Sequence, residues 1–405
     1  MTARIAMGNA DAILCLADPP DRFFEDPYPY YRALRQAAPI LVGADGSLLL
    51  TRHADLAAVY RDSVNFSSDK KAEFALKFGD GPLFEHHTTS LVFNDDPYHR
   101  RVRGRLVGAL TPRAVAALGR RLAEYCDRLL DSLLEQGGGD AVADYAAAVP
   151  VRMIGDLLGV PEADRGSLRR WSLAILGALE PALDEAQLDN GNAAVAEFAE
   201  YLDHVVADRR RAPGDPDSDL LTRMIASDDV ELSSRELIHN AIFLLNAGHE
   251  TTSNLIGSAL HILATREDSE LNMVSDEASI AGFIEEVLRF ESPNQLGNRR
   301  AACDTMLNGF PIPEGALLTL IIGAANRDPE IFADPDRFDP RRDAHRHLAF
   351  GAGTHHCAGL SLARLEARVA IDIWRRRIPL FRLAAPAVRQ RRVRFRGFEA
   401  LHVAL

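Results

Sequence analysis

The sequence predicts a mainly α-helical protein with a minor β part, and three observations carry that prediction. Long segments place apolar residues three and four apart, the spacing that lines one face of a helix. Strand signals are confined to a few short runs. The 405 residues contain no linker, internal repeat or low-complexity tract, so the chain reads as a single domain over 1–405 with a large core.

Taken in order, residues 1 to about 18 read as a short disordered tail without an apolar run. PILVGADGSLLLT (39–51) reads as a hairpin, turning at Asp45-Gly46 between apolar runs. PRAVAALGRRLAEYCDRLLDSLLEQ (112–136) and AVAEFAEYLDHVVADRRR (194–211) read as amphipathic helices. APGDPDSD (212–219) is a surface connection between helices. SSRELIHNAIFLLNAGHETTSNLIGSALHILATR (233–266) is the longest helical pattern, started by a capping box of Ser233 and Glu236. RFRGFEALHV (394–403) reads as a second hairpin.

The net charge of −12 argues against nonspecific nucleic-acid binding, which needs a basic field to displace counterions. No stretch approaches the roughly 20 apolar residues of a membrane helix. Four scattered cysteines, Cys15, Cys126, Cys303 and Cys357, form no CxxC pair, which fits a reducing compartment. The expectation is a cytoplasmic monomer.

Two stretches carry chemistry. AGHETT (247–252) interrupts the apolar run of the longest helix with four polar side chains, and buried polar groups there need a ligand, water or each other. His249-Glu250 opens an HExxH zinc motif, but Ser253 stands where the second histidine is required. FGAGTHHCAG (350–359) surrounds Cys357 with Gly351, Gly353 and Gly359. An inert buried cysteine does not account for those glycines; an axial thiolate under a haem, with the backbone looped clear of the porphyrin, does.

Phe350-Gly351-x-Gly353-x-His355-x-Cys357-x-Gly359 resembles, position for position, the haem-binding loop of the cytochrome P-450 monooxygenases. Glu286-Val-Leu-Arg289 is similar to that family's ExxR pair, and Arg342 in DRFDPRR to its third member. AGHETT is similar to the oxygen-binding groove of the family's long helix. The resemblance runs from about residue 20 to the end. It implies the cytochrome P-450 fold, with haem b between the long central helix and the helix after the cysteine loop, and Cys357 as the iron ligand.

The same resemblance implies a structural role for Glu286, Arg289 and Arg342. It implies propionate contacts from His99, Arg103, Arg299 and His347, and room above the iron from Ala247 and Gly248. It assigns Thr251 to hold the oxygen's hydrogen bond and Glu250 to link it to solvent protons. O2 is then the co-substrate, and electrons come from NAD(P)H through a separate ferredoxin, [2Fe-2S] or similar, and its reductase. Arg100, Arg101, Arg105, Arg364 and Arg368 are candidates for a ferredoxin-docking patch.

The implied reaction inserts one oxygen atom into a C–H bond of a mainly apolar small organic substrate. Resemblance places Phe84, Val92, Phe243, Asn246, Asn294, Gln295, Leu296 and Phe398 around it, with His86 and His87 nearby; the family usually has apolar residues where Asn294 and Gln295 stand, so at least one of these amides is expected to hydrogen-bond a polar group of the substrate. An alternative stays open: a haem-thiolate protein driven by peroxide, or acting as an isomerase or sensor, which would not need the Glu250-Thr251 pair.

Overall fold

A computed structural model of the chain describes residues 13–107, 110, 112–216, 219–226, 232–265 and 276–405. The chain divides into two units. One comprises residues 1–68, 261–357 and 388–399, the other 69–260, 358–387 and 400–405.

The first unit is built on a five-stranded sheet in the order Ile40–Val42, Leu48–Leu50, Leu317–Ile321, Leu296–Ala301, Phe66–Ser67. The first two strands form the expected hairpin, with Ile40 opposite Leu50 and Gly46 at φ 76° in the turn. Leu48–Leu50 then pairs in parallel with Leu317–Ile321, an arrangement that buries both faces. Alternate residues therefore enter different cores. Leu48, Leu50, Leu318 and Leu320 pack with Leu56, Val59 and Leu348, whereas Leu41, Leu49, Leu296 and Ile321 pack with Tyr28, Tyr31 and Leu34.

The second core also takes in Leu14, which is 2% exposed. Residues 13–18, the end of the expected tail, are thus anchored by an apolar side chain. Residues 1–12 lie outside the described residues.

The second unit is helical. Its core joins Leu106 of Tyr98–Val107, Ile154 of Ala148–Leu157, Ile175 of Gly166–Gly177 and Phe198 and Leu202 of Glu185–Arg211 to Ala241, Ile242 and Leu245 of the central helix, Ser234–Thr265. The last turn of that helix, from His261, belongs to the first unit. Its start carries the expected box: Glu236 N–H donates to Ser233 Oγ at 3.2 Å, and Ser233 N–H to Glu236 Oε2 at 2.9 Å.

The helix Pro112–Gln136 packs on Leu360–Arg377, where Arg377 reaches Asp127 and Asp131. The second hairpin expected at 394–403 is not one. His402–Ala404 pairs with Gly138–Asp140 and Arg382–Leu383, and Phe398–Ala400 pairs back with Val388–Arg389. Gly138 permits the first contact, since a Cβ there would stand 2.2 Å from the Val403 carbonyl oxygen.

Candidate active site

The cysteine loop is a closed backbone turn. Cys357 N–H donates to Phe350 O at 3.0 Å, His356 N–H to Gly353 O at 3.0 Å, and Gly351 N–H to Leu348 O at 2.9 Å. Gly351 and Gly353 sit at φ 66° and 69°, conformations that L side chains resist. Gly353 has a second constraint, because a Cβ there would meet Tyr60 O at 2.1 Å. Cys357 is only partly buried at the end of the turn.

The loop is pinned from behind by the Glu286 cluster. Glu286 and Arg289 are both fully buried and bonded twice, Nε to Oε2 and Nη2 to Oε1, each at 2.6 Å. Arg342 Nε and Asp339 N–H complete the carboxylate at 3.2 and 2.9 Å. Arg289 Nη1 donates to Asn326 O at 3.0 Å, and the Asn326 side chain accepts from Leu348 N–H at 2.7 Å. Leu348 O closes the start of the cysteine turn, so the path from ExxR to the thiol is a run of hydrogen bonds within one unit. Asn326 is a member the sequence reading missed. Its Nδ2 is held by Ser292 Oγ at 2.7 Å.

In the other unit, the central helix is buried on nearly every side, yet Ala247 is exposed in its middle, with Phe243 and Thr251 partly exposed. Those three are four residues apart and make one stripe. Thr251 Oγ1 donates to Ala247 O at 2.9 Å, the usual back-bond of a helical threonine. Glu250 is 1% exposed and His249 4%. Gly248, also partly exposed, packs close to Ala148–Leu157: a Cβ there would stand 3.2 Å from Ile154 Cδ1.

Comparison with known proteins settles the family. The profile described as "Cytochrome P450", written P-450 here, matches residues 178–276 and 280–374. The chain is 38% identical over 358 residues to the vitamin D(3) 25-hydroxylase of Pseudonocardia autotrophica, covering 86% of this chain and 85% of that one. It is 33% identical to the 6-deoxyerythronolide B hydroxylase of Saccharopolyspora erythraea, covering 95% and 97%. A crystal structure of P-450BioI with an acyl carrier protein ligated to hexadec-9Z-enoic acid superposes at TM-score 0.89, with 32% identity over 95% of this chain and 99% of that one.

The chain belongs to the cytochrome P-450 family. Family members are haem-thiolate monooxygenases, and this chain is one by membership. Its fold class is the expected one. No helix among the described residues is long and apolar enough to cross a membrane. The residues present fit a haem: a partly exposed thiol in a positive-φ turn, and an exposed alanine halfway along a buried helix.

This cytochrome P-450 also holds an acid that the sequence reading overlooked. Glu366 lies in Leu360–Arg377, four residues after buried Leu362 and four before buried Ala370, so a carboxylate occupies an apolar stripe. That misplaced charge was the available signal. Burial pushes its carboxyl up to about 8, partly offset by a hydrogen bond with Thr252, the neighbour of Thr251. Its Oε2 has no hydrogen-bond partner among the described residues.

Several expected site residues are placed elsewhere. His347 accepts from Ala349 N–H at Nδ1, 3.2 Å, and directs Nε2 to Glu285 at 3.2 Å, leaving no ring nitrogen for a propionate. Gln295 Nε2 donates to Ser292 O at 2.7 Å, and its side chain lies over Gly323. Asn294, with its amide turned to satisfy both atoms, donates to Leu296 O and Arg394 O. Both amides are thus ties to backbone. Leu296 and Phe398 are 1% and 2% exposed core residues, Phe398 between His261 and the Arg389 guanidinium. Asn246 is 1% exposed and off the open stripe. Phe84 and Val92 remain partly exposed.

His99 is buried in Tyr98–Val107, one turn before partly exposed Arg103, as expected. Arg299 lies on the strand Leu296–Ala301, stacked over Tyr60. Two arginines of the anticipated docking patch are already engaged: Arg100 with Asp96 at 2.6 Å, and Arg101 with Glu236.

Proposed function

We propose that this cytochrome P-450 hydroxylates a C–H bond of a bulky, mainly apolar substrate, using electrons from a separate ferredoxin and its reductase. The observation that carries the substrate class is the Phe243–Ala247–Thr251 stripe: one aromatic ring, one methyl and one hydroxyl, with no charge on the open face. The names of its relatives are compatible with a bulky substrate, since they include a vitamin D(3) 25-hydroxylase, a 6-deoxyerythronolide B hydroxylase and a protein bound to a hexadec-9Z-enoic acid-ligated carrier protein.

Cys357 would hold the haem iron and Phe350, Gly351, Gly353, His355 and Gly359 shape its loop. His99, Arg103 and Arg299 supply donors for the two carboxylates, whose burial requires partners. When bound, the haem supplies oxygen activation, favoured by thiolate electron donation. The chain's own task is protons. Thr251 Oγ1 donates one hydrogen bond backward to Ala247 O and keeps lone pairs free to accept from the Glu250 side. Glu250, buried beside it, is the acid that renews the proton at Oγ1.

The reduced carbon monoxide complex should show the strongly red-shifted Soret band of thiolate ligation, absent in Cys357→Ser. Turnover of a lipophilic substrate should require a ferredoxin system. Equal turnover with hydrogen peroxide alone would instead favour the peroxide-driven alternative.

A further inference from the structure

The second unit carries a surface cleft of about 320 Å3, none of whose lining residues belongs to the central helix. One wall is the Tyr125 ring of Pro112–Gln136. Ala143, Ala147 and Val151 also line it, where a single π-helical turn, Val142–Ala146, leads into Ala148–Leu157. Such turns widen a helix locally and recur at functional sites. The remaining wall holds Arg152, Arg165, Arg169 and Glu162.

The three guanidinium groups are not equally committed. Arg165 Nη2 donates to Asp156 Oδ1 and to Val160 O, both at 2.7 Å, and Nε to Val160 O at 3.0 Å. Arg152 divides itself between Asp156 at 3.4 Å and Glu162 at 2.9 Å, and lies 5.3 Å from the Tyr125 ring centroid. Arg169, although partly buried, makes no hydrogen bond or ion pair among the described residues. Its guanidinium lines the cleft with five N–H donors that no protein acceptor among the described residues engages, and their planar fork matches a carboxylate.

We propose that this cleft binds a small organic carboxylate, its anion on Arg169 and Arg152 and its apolar body on Ala143, Ala147, Val151 and the Tyr125 ring. Glu162 is the resident anion at Arg152. Its side chain is 77% exposed, so its hold is a solvent-screened pair that a ligand can displace. An inorganic anion would satisfy the arginines but leave the apolar lining uncovered, which selects for an organic ligand. The site also has a line to the central helix. His249 is kept neutral first by burial and then by the charge of Arg169, so an anion on Arg169 changes the field at the residue beside Glu250.

The test uses the haem-loaded protein with an azole occupying the iron, so that the distal side is blocked. Binding of benzoate, benzyl alcohol and inorganic phosphate is followed by saturation-transfer NMR and calorimetry. Benzoate should bind saturably and at least ten-fold more tightly than benzyl alcohol or phosphate. Arg169→Gln should weaken benzoate at least ten-fold with the haem spectrum unchanged, and Glu162→Gln should tighten it several-fold. Equal affinity for benzoate and benzyl alcohol, affinity for phosphate equal to that for benzoate, or indifference to Arg169→Gln would each overturn the assignment.

Discussion

Thr251 shows how much a single hydroxyl can decide. As a helical residue it needs only its bond to Ala247 O, and alanine there would cost little stability. In the role proposed for it, as a proton carrier, it cannot be spared. Thr251→Ala should keep haem content and substrate binding while product per NAD(P)H consumed falls several-fold and hydrogen peroxide rises; coupling as tight as wild type would remove Thr251 from the mechanism. Glu250→Gln should slow ferredoxin-driven turnover by about 10²-fold. Both positions were singled out in the sequence because AGHETT is a contiguous motif similar to the family's oxygen-binding groove. Asn326 was not: its meaning lies in a 2.7 Å bond to Leu348 N–H, twenty-two residues on, which no local pattern announces.

Among elements, the helices were readable because periodicity is a local property: 112–136 and the capped central helix begin and end close to where the sequence places them. Two-residue strands such as Phe66–Ser67 and Val388–Arg389 have no period to detect, and the C-terminal pairing was misread for that reason. What holds that region is an ion cluster. Glu291 receives Arg396 at 2.6 Å, Arg389 at 3.2 Å and Arg327 at 3.6 Å. Burial alone would raise its carboxyl, but the three arginines outweigh it and hold it at about 2. Arg327 is further sandwiched between Tyr28 and Phe290. Glu291→Gln leaves Arg396 and Arg389 without their anion, Arg327 keeping Asp336 at 3.3 Å, and should destabilise by about 3–5 kcal/mol in denaturant unfolding. Asn294→Leu and Gln295→Leu should likewise cost about 1–3 kcal/mol each of stability, since their partners are backbone carbonyls, while substrate affinity stays unchanged. Selective loss of affinity for a hydroxylated substrate would restore them to the pocket.

At the scale of the whole molecule, the buried titratable groups pull the pH of maximum stability from opposite sides. Burial, then nearby arginine charge, holds His249 at about 3 and His261 at about 4, against an ordinary 6.5. His53, His86, His99 and His239 are lowered too, burial being the first cause in each. Below pH 6.5 the unfolded chain takes up protons that these folded histidines refuse, so their contribution is present above 6.5 and lost as pH falls. Glu366 acts in the reverse sense. Its folded carboxyl titrates at about 8 against 4.5 unfolded, so its contribution is complete below 4.5 and lost as pH rises to 8. Each such group tilts the stability by roughly 1.4 kcal/mol per pH unit across its window. Six lowered histidines against one glutamate make stability fall on acidifying from 6.5. Above 6.5 Glu366 is the group among the described residues whose window remains open, and stability declines toward pH 8. Unfolding of the haem-loaded protein followed from pH 5 to 9 should therefore peak near pH 6.5. Glu366→Gln should flatten the alkaline limb and steepen the acid one, and His249→Leu with His261→Phe should make the acid limb shallower and leave the alkaline limb as it was. An alkaline slope unchanged in Glu366→Gln would mean that this carboxylate finds a cation or water when ionised, and is not the buried neutral acid described above.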